Sequence, residues 1–285
     1  MKTFAKATYL VWAARRWPVA DRSCPSCSWS ATCLLKRKHV VTGLYQCARC
    51  SLMFRVPKGS FDEDGAFYES NYEQGFTTEL PDDSALEHLK SDSFRAIGKD
   101  ITGSIEILNA LGVASQGIIY DYGSSWGYAS WQLRKHGYQV YSYDVARTRA
   151  AYARDKLGCN SLAEASDVPE KVDCLFASHV LEHLVDPNVL WKTACDVLKP
   201  DGVVVLFVPN GEPIRERLHR QTYHQLWGRV HPLLLTTEAL DWMARQYGFE
   251  GAGYSSPYQL GEIARGTSGR LDGEELLFVA RRRSA

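Results

Sequence analysis

The stretch from Ile118 to Tyr128, Ile-Ile-Tyr-Asp-Tyr-Gly-Ser-Ser-Trp-Gly-Tyr, constrains this chain more than any other. A short run of β-branched and aromatic residues closed by a glycine predicts a strand buried on both faces. Gly123 suits a tight turn, and Gly127 lets the backbone come close to a ligand or a neighbouring element. Trp126 to His136 then has helical length, with Gly137 as its stop. The N–H groups at such a helix opening suit an anionic group, and Ser124 and Ser125 belong to the same candidate binding turn.

The acid at the head of this turn narrows the ligand. A dinucleotide fingerprint reads G-x-G-x-x-G and cradles a pyrophosphate. Here the pattern is D-x-G-x-x-x-G, with Asp121 in place of the first glycine. A carboxylate repels two phosphates and attracts an ammonium group. The preferred ligand therefore has an amino acid end, and S-adenosylmethionine carries one on a nucleoside. A second alternating run, Tyr138 to Tyr143, ends in Asp144, at the distance where a nucleotide-binding βαβ unit places its ribose acid. An ordinary βαβ unit with a helix-capping Asp is the plainer alternative, outweighed by the motifs further along.

Two such motifs follow in order. Val172 to Ser178, Val-Asp-Cys-Leu-Phe-Ala-Ser, reads as a strand running into His179-Val-Leu-Glu182-His183, and Asp186-Pro187 then opens a helix as N-cap and first helical residue. Leu198-Lys-Pro-Asp-Gly202 leads into the apolar strand Val203 to Val208. His183 is the sharpest catalytic candidate, because a near-neutral imidazole can take a proton from a hydroxyl or amine. Its structural alternative is a histidine bonded to a backbone carbonyl. Glu182 is a candidate orienter of His183 or a helix cap.

Together these pieces resemble the class I S-adenosylmethionine-dependent methyltransferases, over about residues 84–282. The resemblance implies an α/β fold: a Rossmann-like, seven-stranded, mostly parallel sheet, strand seven antiparallel, flanked by helices. It implies that Asp121 holds the amino acid end of the cofactor, that Gly123 to Gly127 give its carboxylate backbone contacts, and that Asp144 binds the ribose hydroxyls. Ser178 and His179 would line the cofactor pocket. A sulfonium carbon is already an activated electrophile, so the protein chiefly aligns acceptor, methyl carbon and leaving sulfur.

Ahead of this region, Cys24-Pro-Ser-Cys27 and Cys47-Ala-Arg-Cys50 form two C-x2-C pairs at the spacing of a four-thiolate zinc site. Each short turn offers two sulfurs on one side, and two turns complete a tetrahedron. Paired disulfides and redox dithiols are the alternatives. A structural zinc is expected, because a segment this short buries too little surface to fold unaided and four thiolates leave no open position for water. The run from Leu44 through Cys47, Cys50, Met53 and Phe54 to Pro57 is similar to the zinc ribbon found ahead of many small-molecule methyltransferases, including sugar C-methyltransferases, which gives a ribbon over residues 23–57. Cys33 breaks the paired spacing, and Cys159, Cys174 and Cys195 read as small core residues.

Around these units, residues 1–22 read as a tail or a short helix. Residues 58–83, acidic and aromatic, read as a linker or as a lid over the cofactor mouth, and 84–285 as the methyltransferase-like domain. Within that domain, the spacing from Ser84 to Leu111 predicts one helix. A polar insertion of about 25 residues after Pro209-Asn210-Gly211 carries His219, Tyr223, His224 and His231, candidates to cover an acceptor, since long loops in compact domains are usually functional. Thr236 or Thr237 caps the helix that follows.

Composition sets the outer bounds. Lysine plus arginine and aspartate plus glutamate both number 33, which argues against binding nucleic acid by phosphate neutralisation. No apolar run reaches the roughly 20 residues of a membrane span, and residues 1–17 lack a signal-peptide core, so a cytoplasmic protein acting on a small-molecule acceptor is expected. A nicotinamide-dependent oxidoreductase would need the full three-glycine spacing, and a non-catalytic binding module would not need both acids. The pattern names neither the acceptor nor an oligomeric state.

Overall fold

The computed structural model describes residues 2–59 and 80–283, with backbone alone for 2–6. The segment expected to be a linker or lid lies, from 60 to 79, outside the described residues. No helix among the described residues is long and apolar enough to cross a membrane.

The larger sheet is built from β4 (Ile118–Tyr122), β5 (Gln139–Tyr143), β6 (Asn160–Ser161), β7 (Val172–Ser178), β8 (Leu198–Pro209), β10 (Phe249–Ser255) and β11 (Glu275–Arg282), in the order β10-β11-β8-β7-β4-β5-β6. β4 pairs in parallel with β5 and β7, and β7 with β8, whereas β11 runs antiparallel to both β8 and β10. The seven-stranded, mostly parallel sheet with an antiparallel last strand is therefore as the sequence led one to expect.

Alternation along the central strands sorts the core into two layers. Tyr120, Tyr122, Leu175, Ala177, Val204 and Leu206 face one side, and Ile119, Cys174, Phe176, Val203, Val205 and Phe207 the other. Helices α6 (Asn188–Val197) and α7 (Thr237–Gln246) cover the first face through Leu190, Trp191, Ala194, Leu240 and Met243. Helices α3 (Thr102–Ala110) and α4 (Tyr128–Lys135) cover the second through Ile105, Leu108 and Leu133. Every residue of β4 is buried, as a central parallel strand requires. After β4 the chain builds outward to β5 and β6, then returns to place β7 on the other side of β4. That reversal puts a crevice at the carboxyl ends of β4 and β7, where open α/β sheets bind ligands.

Several local expectations are corrected. The helix predicted over 84–111 is two helices, α2 (Asp83–Ser91) and α3, separated by a 3-10 turn at Arg95–Ile97. Ser93 and Phe94 take left-handed φ values, and Asp100 bonds the Thr102 N–H at 2.9 Å, so the chain stops and restarts. The break lets Phe94 enter a separate cluster with Trp126 and Leu157. β8 begins at Leu198, earlier than the apolar run alone suggests, because Leu198 pairs with Val172 before the register shifts. Thr236 caps its helix as expected, accepting from the Ala239 N–H at 3.2 Å. The helix after Asp186 starts one residue later than expected, at Asn188 with Pro187 in the capping position, although the Asp186 carboxylate still accepts from the Asn188 N–H at 2.9 Å.

The smaller sheet carries the larger surprise. β1 (Thr32–Lys38), β2 (Thr42–Cys47) and β3 (Met53–Val56) form an antiparallel meander whose outer neighbour is β9 (Leu233–Leu234), a strand from the insertion expected to be a polar cover. Met53 pairs with Leu234 and Phe54 with Leu233, while Leu235 bridges to Asn210 just past β8. One short segment is thus hydrogen-bonded at both ends. Trp227 and Tyr223 of the insertion are buried against Leu44, Met53 and Leu234, and the Lys38 ammonium sits 4.3 Å over the Trp227 ring. Residues Lys2–Arg16, left open by sequence, form α1, whose Tyr9 and Trp12 rings lie 5.9 and 5.5 Å from the Arg55 guanidinium of β3. Trp227→Ala should therefore lower the unfolding free energy by about 3–5 kcal/mol, the usual cost of truncating a fully buried tryptophan, read from urea-denaturation midpoints.

Candidate functional site

The glycine turn after β4 is set by two close approaches. A side chain at Gly123, which has φ +83°, would lie 2.4 Å from Val180, so the loops leaving β4 and β7 touch here. A side chain at Gly127 (φ +88°) would lie 2.7 Å from Ala153, where α4 crosses α5 (Arg147–Leu157). The two acids converge on this turn. Asp121 is buried and accepts from the Ser130 hydroxyl at 2.5 Å. Asp144, also buried, accepts from the Ala146 N–H on one oxygen at 2.8 Å and from the Ser125 N–H on the other at 2.7 Å. A carboxylate has about four acceptor sites, so capacity for two ligand hydroxyls is left.

Burial lifts the Asp121 pKa, and the Asp144 charge adds to it, against the Ser130 bond, to about 7; burial also raises Asp144. Full ionisation of this pair out of water requires a cation beside it. The nearest fixed one, missed from sequence, is the buried Arg149, whose guanidinium donates to the Ser125 hydroxyl at 2.9 Å. Its only sequence signal was its place in the first turn of the helix after Asp144.

One expected role of the turn changes. The N–H groups of Gly123 and Ser124 both go to the Tyr143 carbonyl, that of Ser125 to Asp144, and that of Gly127 to the Ser124 carbonyl. The turn folds onto the end of β5 and uses these donors itself, so they are not presented to a ligand carboxylate. The Ser124 hydroxyl is buried with no partner among the described residues, which leaves a donor for one.

Across the crevice, Ser178 ends β7 and His179 follows with a left-handed φ of 55°. The His179 ring bridges two carboxylates, Glu182 at 3.2 Å and Glu275 at 2.8 Å. Burial would lower its pKa, but the two carboxylates raise it to about 10. Glu275, on β11, is a second partner that sequence reading missed. Glu182 is 1 % exposed; burial would raise its carboxyl, but the His179 bond and the His183 and His231 rings leave it below the usual range.

His183 points its Nδ1 at the Val230 carbonyl, 2.9 Å away, so its orienter is that carbonyl and not Glu182, which lies 3.8 Å from Nε2. Of the insertion residues, the structure brings His231 to this place, its ring 4.6 Å from that of His183. Tyr223 is buried elsewhere and donates to the Gly211 carbonyl at 2.8 Å, while His219 and His224 are exposed, His224 edge-on to Trp227. An open cavity of about 560 Å³ bounded by Tyr143, Glu164, Lys171 and Asp196 includes no residue of the glycine turn or of Ser178–His183.

The four paired cysteines also converge. Their Sγ atoms lie 3.4 Å apart for Cys24 and Cys50, 3.5 Å for Cys27 and Cys47, and 3.7 Å for Cys27 and Cys50. Four sulfurs about 2.3 Å from one zinc ion would stand about 3.8 Å from each other, so the set fits a tetrahedral ion with little movement. The crowding splits the thiols: the Cys50 contact pulls Cys24 down to about 5, and burial pushes Cys27 up to about 11. Cys33 is exposed on β1 and outside the cluster.

Comparison with known proteins decides the family. A family model described as a methyltransferase domain matches residues 105–252. The chain belongs to this methyltransferase family. Among solved structures, magnesium protoporphyrin IX methyltransferase from Synechocystis PCC 6803, with bound SAH, is similar at 13 % identity and a TM-score of 0.51, covering 76 % of this chain and 97 % of that one. The CcbJ methyltransferase from Streptomyces caelestis is similar at 16 % identity and a TM-score of 0.49, covering 72 % and 100 % of the two chains. A TehB-like SAM-dependent methyltransferase from Corynebacterium glutamicum is similar at 18 % identity and 0.48, covering 70 % and 98 %. Likeness at these identities is likeness of fold. No curated protein sequence matches the chain. The chain is therefore a methyltransferase enzyme.

The raised pKa of Asp121 has a consequence for stability. The folded methyltransferase holds a proton up to about pH 7 that the unfolded chain releases near 3.8, so this residue's contribution is intact below the lower value and is lost as pH rises through the upper one. Asp121→Asn should make the cofactor-free protein more stable at pH 8 by up to about 4 kcal/mol, the gain shrinking toward pH 4, while S-adenosylhomocysteine affinity falls. Urea unfolding across pH, with calorimetric titration of the product, reads both.

Proposed function

We propose that this methyltransferase acts on a small polar metabolite, a sugar or a natural product, through in-line transfer to a hydroxyl or amine held at the rim beside β7. The observation that carries the cofactor half is the pair of buried acids, Asp121 and Asp144, on either side of one glycine turn at the sheet's reversal point. Asp121 would face the ammonium end of the donor, Asp144 the ribose hydroxyls, and Ser124 the carboxylate. Ser178 and His179 would border the sulfonium. This division follows from charge: a buried carboxylate gains from an amine and loses from a phosphate. Calorimetry with S-adenosylhomocysteine and with NADH separates this reading from a nicotinamide enzyme. Binding of the first alone is expected, and binding of the second would overturn it.

The acceptor half rests on Glu182, His183 and His231, whose polar atoms gather within 4.8 Å of one another next to Val180, itself against Gly123. His183 would meet the acceptor's reacting group, with its ring fixed by the Val230 carbonyl. His183→Ala is expected to lower kcat by about 10²–10⁴-fold at saturating donor, the usual worth of a positioned proton-transfer group, with S-adenosylhomocysteine affinity unchanged. Full turnover would place the chemistry elsewhere.

The N-terminal cysteine unit would be a zinc ribbon, with Cys24, Cys27, Cys47 and Cys50 holding one structural ion. A closed four-thiolate set supplies folding energy and leaves no open position for substrate. Cys50→Ser should abolish the tightly held equivalent of zinc and remove at least about 3 kcal/mol of stability, a fraction of the about 10–16 kcal/mol that structural zinc supplies in finger peptides. Elemental analysis and thermal unfolding are the measurements.

A further inference from the structure

The Glu182 carboxylate poses a problem that its neighbours do not solve. It is 1 % exposed, and its Oε2 is buried with no hydrogen-bond partner among the described residues, while His179 reaches only Oε1. A buried charged oxygen left without a partner is costly and rare. The two rings beside it are oriented in the same way. His183 Nδ1 lies 2.9 Å from the Val230 carbonyl and His231 Nδ1 3.1 Å from the Leu226 carbonyl. A carbonyl only accepts, so each Nδ1 carries the hydrogen, and in the neutral ring that binds a metal each Nε2 then carries a lone pair. Backbone carbonyls fixing the far nitrogen of two imidazoles are the usual outer partners of metal-bound histidines. One ligand atom from each of Glu182, His183 and His231 can be chosen so that all lie within 4.8 Å of one another.

From this geometry we infer that Glu182, His183 and His231 form a second metal site, holding a divalent first-row transition ion through one carboxylate oxygen and two Nε2 atoms. The donor set differs from the cysteine cluster in kind. Two imidazoles and a carboxylate suit Mn²⁺, Fe²⁺, Co²⁺ or Zn²⁺ and leave coordination positions open, whereas four thiolates close a tetrahedron. A modest inward turn of the three side chains brings them to about 2.0–2.2 Å from a common centre. An ion ligated through Oε2 would supply the partner that this oxygen lacks among the described residues.

Position gives the site its use. Val180, two residues before Glu182, touches the glycine turn at Gly123, so the open positions lie at the rim assigned above to the acceptor. The acceptor class that matches is one with two neighbouring oxygens able to bind one ion together: a vicinal diol, a catechol or a hydroxy acid. This last step rests on the proposed methyl-transfer reading, whereas the ion site stands on the three side chains alone. With the ion bound, the His183 Nε2 lone pair is committed to it, so both the orientation of the acceptor and the activation that the ion-free reading gives to His183 pass to the metal.

The test uses the full chain, stripped with a chelator and given one equivalent of Zn²⁺ to fill the cysteines, then titrated with Co²⁺ and followed by visible absorption. A second, saturable equivalent is expected, with a spectrum free of thiolate charge transfer. Glu182→Gln and His231→Gln should each weaken that step by at least tenfold while the zinc content and S-adenosylhomocysteine binding stay as in the wild type. If the wild-type chain takes up no second equivalent, or both variants bind Co²⁺ as it does, the site is overturned. If the second equivalent binds but no protein binds S-adenosylhomocysteine, the methyl-donor reading fails and the ion site remains.

Discussion

The buried guanidinium of Arg55 fixes more of this molecule than any other group. It is 2 % exposed on β3, and a charge so placed must have every donor answered. Its side chain donates to the carbonyls of Pro57 at 3.0 Å, Gly228 at 3.2 Å and Arg229 at 2.8 Å, and its backbone N–H to Pro232 at 2.7 Å. Three of these four bonds, to Gly228, Arg229 and Pro232, therefore hold the backbone from 228 to 232. The carbonyl that orients His183 belongs to Val230, and His231 follows it. The shape of the rim beside β7 is thus dictated from a strand of the small cysteine-bearing sheet, over 120 residues earlier in the chain.

On the other side of the crevice the constraint is electrostatic. Asp121 and Asp144 are held in a turn whose own N–H groups are largely consumed by Tyr143 and Asp144. The turn is rigid before any ligand arrives, and its carboxylates are poorly solvated. With the proposed donor bound, such a site would trade stability of the free protein for binding of its cationic end, because the same burial that raises the Asp121 pKa also strengthens the attraction of its ionised form to an ammonium group. Arg149 tempers this from the side of Ser125 without reaching either acid through a direct hydrogen bond among the described residues.

Much of the sheet could be read from the sequence because its information is local. Ile118 to Gly127 carries strand, turn and helix start within one window, and Val203 to Val208 is unmistakable as a buried strand. The same locality misleads between residues 84 and 111, where helical spacing continues across Ser93 and Phe94 although the backbone there turns left-handed. Spacing alone cannot register that Phe94 is drawn into a cluster around Trp126, a long-range packing effect. The four cysteines were legible because metal ligation leaves a fixed interval in sequence. His231 was one of several insertion histidines, and nothing in its neighbours distinguishes it from His219 or His224. What distinguishes it is the pairing of β9 with β3, a contact between residues about 180 apart. Glu275 and Ser130 were invisible for the same reason: each is a polar residue on a regular element, identified only by what it faces.

The pairing of β9 also changes how the cysteine unit relates to the chemistry. A ribbon attached only by a linker would affect stability and little else. Here the unit's last strand hydrogen-bonds Leu233 and Leu234, whose neighbour Leu235 bridges to Asn210 at the end of β8. Cys24, Cys47 and Cys50 belong to the same buried cluster as Leu175, Leu206 and Leu240 on one face of the large sheet. An ion that draws the four sulfurs together therefore fixes β2 and β3, through them Arg55 and β9, and through those the backbone carrying Val230 and His231. A closed thiolate site that never meets substrate would in this way set the geometry of the rim beside β7 proposed to take the acceptor, because protein interiors are packed tightly enough to transmit small displacements.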